Sequence, residues 1–574
     1  MTSLAILSIV GMLILGTIFT TRVEMAISRN DATSSQAQYV AQAGLQKYKA
    51  ALFQNFRWLE SDPVLSGGSS NTDACSNSLS EGLNFDRDPT RTEWNGNRID
   101  LTQENVTDVN GDVIGTYTVS FLRDPNNESR ITLRSVGRTV AGSDNVRATS
   151  TATATYFIRN SSTLEQAVFA GSGSGMRFIN GNTTIYGGVY IMGDKNNPDA
   201  YVIEANGDMS MFNGYSTSES GNPIFLVDAV RSAGNLCAAL RVESGKVAVG
   251  GSTLLGEPDN RLLTVAVDDG LEDVDTSQGG TTECKGNKGV CSEMGITPFD
   301  ISEPPVYPKL DESPDTHFCP DPKSWRTCIQ EEAIADGMVL TTGGGSTVTL
   351  ASPNGESIAL KSACQAALDT AAASPDKTLT LSSDLDCTVT VNSVTYGFTF
   401  NPGSGGFKTY GNVNFRGLNL EIASDSKYRA LSRDENGVTR KFAGLSLEAI
   451  NGEGGDFTAL ASFVADETYA AFPDNVLSIV AEGTVSLVGQ PNDDSYTAAI
   501  YAGTEFRIRN STKLFGQVIA DIFCTTNDPD SCSSAGSPAE VFFVPTGDNR
   551  PQSYRAIAPR SGLPTFVVEA YELR

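Results

Sequence analysis

Three patterns of apolar and polar positions follow one another along the chain. From Leu4 to Thr21 (LAILSIVGMLILGTIFTT) no side chain is ionisable and most are apolar. A run of about 18 such residues is near the least that crosses a bilayer as one helix. From Val23 to about Phe56 there is no proline and good helix formers dominate. There Val40, Ala43, Leu45, Tyr48, Leu52 and Phe56 recur at threes and fours, as on one stripe of a helix. Together the two patterns predict a single helix over 1–56, roughly 80 Å long. Its half at 4–21 would span a membrane and its half at 22–56 would be amphipathic. A cleaved signal peptide expects a basic start, which Met1-Thr2-Ser3 lacks, and a small-residue stop. A plain signal anchor ahead of an extracytoplasmic domain would share the apolar run.

The second pattern is alternation. After a loop-rich bridge at 57–100, the runs Gly115 to Arg123, Arg130 to Arg138 and Val146 to Arg159 place apolar residues at every other position. Turn clusters Asp124-Pro125-Asn126-Asn127 and Ala141-Gly142-Ser143-Asp144 separate them. Period two with this punctuation predicts an antiparallel meander with one buried face, over 57–164.

From 165 to about 560 a third texture takes over, of short apolar runs between Gly, Asn and Asp turns. An aromatic followed by Gly, any residue and Val recurs at Tyr186-Gly187-Gly188-Val189, Tyr410-Gly411-Asn412-Val413 and Phe515-Gly516-Gln517-Val518. Small units of this kind bury an apolar side only by coiling on one another, which predicts a β-solenoid; a β-sandwich would show the same short strands. Prolines 298, 304, 305, 308, 314, 320 and 322 interrupt 280–340, where an irregular excursion is expected because proline removes ladder donors. A short helix is predicted at 362–373, stopped before Pro375. The final run 561–574 reads as a closing strand, with the meander as its candidate partner. The fold class is therefore mainly β with one long N-terminal α-helix.

Charge narrows the chemistry. The net charge of -27 repels nucleic acid as a whole, so contact with DNA requires a local patch. One such patch runs through Lys427, Tyr428, Arg429, Arg433, Arg440 and Lys441, where Asn436-Gly437 predicts a hairpin turn. A projecting basic hairpin would put several cations on a phosphate backbone, with Tyr428 placed to stack on a base. Asp434 and Glu435 at its tip weaken it, and a solvated mixed-charge hairpin is the plainer reading.

Ten cysteines, all after the apolar run, suit an oxidising compartment. Proximity pairs Cys284 with Cys291, Cys319 with Cys328, Cys364 with Cys387 and Cys524 with Cys532, leaving Cys75 and Cys237 for each other, although connectivity is not fixed by sequence. His317 is the single histidine and lies in the Pro- and Cys-rich loop without a nucleophile-elbow pattern, so neither catalytic nor metal residues are assigned. With Cys284, Cys291, Cys319 and Cys328 it lacks the short knuckle spacing of a zinc site. Asp108-Val109-Asn110-Gly111-Asp112 offers alternate oxygens that suit calcium, yet no Glu completes a twelve-residue loop, and Asn110-Gly111 is also a strong hairpin turn. No cofactor and no small-molecule substrate are expected.

The segment Ser34-Ser35-Gln36-Ala37-Gln38-Tyr39-Val40-Ala41-Gln42-Ala43-Gly44-Leu45, following an apolar start and the first acid at Glu24, resembles the N-terminal helix of PilX-type minor pilins of type IV pili. Gln42 stands where that family usually has Glu, and Ala5 where many pilins carry an acid. The resemblance implies a pilin-like α+β head over 57–164 carrying the large β-solenoid, and similarity to the large minor pilins of the Thermus/Deinococcus lineage linked to natural transformation. It implies other pilin subunits as partners through the helix, the membrane before assembly, and a place at the extracellular pilus tip with DNA as ligand. A tip adhesin for a surface or glycan, and a membrane-anchored β-helix glycan-active enzyme, remain the alternatives.

Overall fold

The computed structural model describes 30–49 with scattered positions from 21 onward, and most of 98–573. The larger stretches outside it are 1–20, 50–97, 160–165, 173–178, 216–235, 300–305, 526–537 and 545–564. The chain divides into two compact units: Met1–Val64, Asn77–Arg159 and Thr565–Arg574 form one, and Leu65–Ser76 with Asn160–Pro564 form the other.

In the first unit a helix, α1, covers 30–49 and packs on an antiparallel sheet. The sheet runs β1 (Arg98–Asp100), β3 (Val113–Asp124), β4 (Asn127–Ala141), β5 (Asn145–Arg159) and then the C-terminal strand Thr565–Leu573, with β2 (Glu104–Thr107) beside β3. Alternation in β3 to β5 buries Tyr117, Val119, Phe121, Leu133, Ala152 and Ala154 on one face. Several of the buried positions are small, Ser135 and Gly137 included, so a helix can approach closely. The last strand pairs with β5, Thr565 opposite Arg159, so the chain leaves this sheet after β5 and re-enters it at its end.

The buried stripe of α1 is Ala37, Val40, Ala41, Gly44, Leu45 and Tyr48. Ala43, expected on that stripe, faces solvent, because positions 41, 44, 45 and 48 set the stripe one notch away from it. Leu52 and Phe56 lie outside the described residues, as does the apolar half 4–21 apart from Thr21. Among the described residues no helix is long and apolar enough to cross a membrane.

The second unit is built mainly from parallel ladders of mostly short strands, with antiparallel hairpins where Gly337–Thr342 meets Val348–Ala351 and where Leu385–Val391, Val394–Asn401 and Gly406–Tyr410 follow one another. One ladder runs in space through Gly337–Thr342, Asn412–Arg416, Ala443–Glu448, Leu477–Ala481, Ser495–Ile508, Thr512–Thr525, Gln166–Ala170, Gly188–Ile191, Leu240–Val242, Val265–Val267 and Ile296–Thr297. A second carries Gly406–Tyr410, Ser426–Leu431 and Phe463–Ala465, and continues through the start of Thr512–Thr525 to Ala539–Phe543 and Thr183–Tyr186. A third begins with Thr378–Leu381, Asn419–Ile422, Phe457–Ala459 and Val485–Leu487. The spatial order is not the chain order. The chain enters mid-stack at Gln166, climbs to one end at Thr297, crosses to the other end, and climbs back to close against its own entry.

The crossing explains the proline-rich segment. Ladder strands persist to Ile296–Thr297, so the irregular excursion starts later than 280. Beyond it lies an unexpected helix, α2 (Trp325–Asp336), whose N-cap Ser324 accepts a hydrogen bond from the Thr327 amide. Tyr307, Leu310, Trp325 and Ile329 from this strap cover Phe169, Tyr190, Val480, Tyr501 and Ile519 on the outer face of the first ladder. Arg326 pins it, donating to Glu482 at 2.7 and 2.9 Å and to Asp311 at 2.8 Å. At the far end α3 (Ser362–Ala373) spans the predicted residues and is joined to strand Leu385–Val391 by Cys364–Cys387.

The aromatic-Gly-x-Val signature marks a place where strands of neighbouring turns nearly touch. Gly187, Gly411 and Gly516 all have positive φ. A β-carbon at Gly411 would lie 2.0 Å from the Asp336 carbonyl, and one at Gly516 1.9 Å from the Ala498 carbonyl. Only glycine satisfies both demands. Two of the signature aromatics turn inward on either side of a third ring: Tyr186 and Phe515 each stack on Phe542 at 4.5 Å.

Candidate nucleic-acid interface

The basic segment splits between a ladder strand and a hairpin. Lys427, Tyr428 and Arg429 belong to Ser426–Leu431, between Gly406–Tyr410 and Phe463–Ala465. Beyond it Asp434–Glu435 and Val438–Thr439 pair as a small antiparallel hairpin. Side chains alternate along the strand, so burial of Tyr428 and Ala430 turns Lys427 and Arg429 outward. Register then sets Lys408 beside Arg429 on the neighbouring strand. The outward cations are thus Lys408, Lys427 and Arg429, with Lys408 contributed from a segment the sequence did not connect to the patch.

Tyr428 does not stack on a base. It is wholly buried, its ring 5.1 Å from Phe463, and its hydroxyl accepts from Thr497 at 3.0 Å. Burial pushes its hydroxyl pKa well above the usual tyrosine value. The expectation failed because a period-two strand gives adjacent residues opposite faces: Lys427 and Tyr428 cannot serve one surface.

Arg429 is not a bare cation. Its Nε pairs with Asp466 and its Nη2 donates to Thr468 at 3.2 Å. Burial pushes the Asp466 carboxyl up, but hydrogen bonds from Thr468 and Arg429 outweigh it and hold the group below the usual aspartate value. Arg429 is therefore oriented by its partners while keeping a third of its side chain exposed. Arg433, Arg440 and Lys441 lie outside the described residues.

The other candidates resolve as follows. Disulfides join Cys284–Cys291, Cys319–Cys328 and Cys364–Cys387, so none of these sulfurs is a thiolate ligand. Cys524 is also disulfide-bonded; Cys75, Cys237 and Cys532 lie outside the described residues, as does His317. Of the calcium candidate only Gly111 is described, with φ +90° between the antiparallel strands β2 and β3. A carboxylate cluster that sequence reasoning missed is Asp268, Asp269 and Asp273, with oxygens within 4.8 Å of one another. Burial raises the Asp268 pKa, and backbone amides of Gly245 and Asp269 occupy oxygens of Asp268 and Asp273.

Among solved structures, the chain is similar to the competence-associated pilin ComZ from Thermus thermophilus, with 36% identity, a TM-score of 0.72, and coverage of 94% of this chain and 97% of that one. The chain belongs to the ComZ family of competence-associated pilins. No protein-family model and no curated protein matches it. In this ComZ-family chain, Ala37, Ala41 and Gly44 of α1 meet the sheet. A β-carbon on Gly44 would fall 2.5 Å from Ser135 Oγ and 2.6 Å from the Tyr117 ring. Ala37, Ala41 and Gly44 are thus contact residues between the helix and the sheet of the same unit.

Proposed function

We propose that this ComZ-family pilin is a non-enzymatic minor pilin that takes its place at the tip of a type IV pilus and there binds extracellular DNA for natural transformation. Before assembly its apolar N-terminal run would hold it in the inner membrane, and in the pilus the helix would pack against other pilin subunits. In this reading the stacked parallel ladders are one β-solenoid, and its outer face is the ligand surface. The observation that carries the reading is likeness to a competence-associated pilin over nearly the whole of both chains.

The outward row Lys408, Lys427 and Arg429, continued by Arg433, Arg440 and Lys441 in sequence, is a place where cations gather on an acidic chain. Cations on adjacent strands about 4.8 Å apart suit a phosphate backbone and would read no base sequence. The test is gel-shift titration of the full-length protein in detergent with duplex DNA at several salt concentrations. Binding through phosphates falls steeply with salt, and Lys408→Glu with Lys427→Glu should lower both affinity and the slope of log affinity against log salt, by about one per lost contact. Salt-independent retention of a glycan in place of DNA would favour the adhesin reading.

A further inference from the structure

The stack closes on itself at one place, and the strap lies across that place. Everywhere else, neighbouring strands of the first ladder follow one another in the chain. At the seam, Thr512–Thr525 meets Gln166–Ala170, Val518 opposite Val168 and Ala520 opposite Ala170. In the second ladder Ala539–Phe543 meets Thr183–Tyr186. Partners here are very distant in sequence: Thr183 donates to Thr525 across a separation of 342 residues. Closing so long a loop carries a chain-entropy cost that neighbouring turns of the stack do not face.

On the outer face Val480, Tyr501, Ile519, Phe169 and Tyr190 stand in register on successive strands, with the seam between Ile519 and Phe169. Aromatic rings flank the seam, but the seam strand itself offers only Ile519. Tyr307 of the strap fills that gap. Its ring lies 6.4 Å from Phe169 on one side of the seam and 5.9 Å from Tyr501 on the other, near-parallel to both. Its hydroxyl donates to the Ala502 carbonyl at 2.5 Å, and the Tyr501 hydroxyl donates back to the Pro308 carbonyl at 2.7 Å. Trp325 meets Tyr501 edge-on at 4.6 Å. Beside it, Asp521 accepts from the Ser172 amide at 3.1 Å, also across the seam.

We propose that the strap is a clasp that holds this seam shut, with Tyr307 as its pin, and that the seam is where the stack opens first. The two halves, 166–297 and 337–543, then behave as two bodies joined by one clasped interface.

Hydrogen exchange on the full-length protein tests this. Tyr307→Ala should raise exchange about tenfold or more at amides of the strands that meet across the seam, 166–170, 183–186, 512–520 and 539–543, and leave 240–242 and 412–416 unchanged. Tyr307→Phe keeps the rings stacked and loses the bond to the Ala502 carbonyl, so it should raise the same amides by a smaller factor; it serves also if the alanine variant does not fold. Equal acceleration of every strand, or none at the seam, would overturn the proposal.

Discussion

Gly137 of β4 lies directly under Ala41 of α1: a β-carbon at 137 would stand 2.3 Å from the Ala41 amide nitrogen and 2.5 Å from the Ala37 carbonyl oxygen. Helix backbone and sheet backbone are as close as glycine allows, which is why the helix carries small residues at 37, 41 and 44. Gly137→Ala should therefore force the helix off its sheet. The expected loss is about 1–3 kcal/mol by urea unfolding, whereas Ala43→Ser on the exposed side should stay within about 0.5 kcal/mol. Equal effects at the two positions would contradict the packing.

Glu104 ties α1 to the sheet edge, accepting from Lys47 and Tyr48 at 2.6 Å each and from Tyr117 at 2.5 Å. Burial pushes its carboxyl up, but the hydrogen bonds from Lys47, Tyr117 and Tyr48 outweigh it, and the pKa lies below the usual glutamate value. A group depressed on folding stabilises above its unfolded pKa, near 4.3, and that contribution fades as pH falls through the folded value. Glu104→Gln should cost about 1–2 kcal/mol at pH 7, with the gap to the native protein narrowing below about pH 4.3. A gap that stays constant from pH 7 to pH 3 would remove the assignment.

Gly411 tests the signature of the second unit. Its φ is +77°, and the Asp336 carbonyl lies 2.0 Å from where a β-carbon would stand, so Gly411→Ala combines backbone strain with a clash. The expected cost is about 2 kcal/mol or more in denaturant unfolding. Gly355, also at positive φ but with open space around it, should cost less when changed to Ala, because strain acts there alone.

Arg326 anchors the strap over Glu482 and Glu448, whose side chains are 30% and 4% exposed. Arg326→Gln leaves Glu448 with Gln330, Asn414 and Arg416 but takes the bidentate partner from Glu482. The loss should be about 2–3 kcal/mol, less than the about 3–5 of a fully buried pair, since Glu482 is partly solvated. Near-native stability in calorimetry would mean that the ion pair contributes little to holding the strap.

Local pattern carried much of this fold. Period two marked β3, β4 and β5 and set their buried face; alanine richness and Pro375 bounded α3; the aromatic-Gly-x-Val runs pointed to a repeating strand texture. Each of those signals acts over a few residues, as does the steric rule behind it. Tyr428 shows the limit: its charged neighbours suggest one shared surface, while strand geometry sends it into the core. Lys408 escapes a reading of the sequence for the converse reason, because it joins Lys427 and Arg429 only through ladder register.

What the sequence determined by itself is the kind of element at each place: an apolar run and helix at the front, an alternating meander, then short glycine-punctuated strands. Side-chain spacing and backbone sterics suffice for that. What only the tertiary structure decided is the order of the strands in space, with the chain entering mid-stack, crossing to the other end by way of the strap and closing where Val518 meets Val168. Parallel ladders accept any strand of matching alternation, so the choice among partners is made by packing across hundreds of residues, such as Tyr307 between Phe169 and Tyr501, and leaves no mark in a local window.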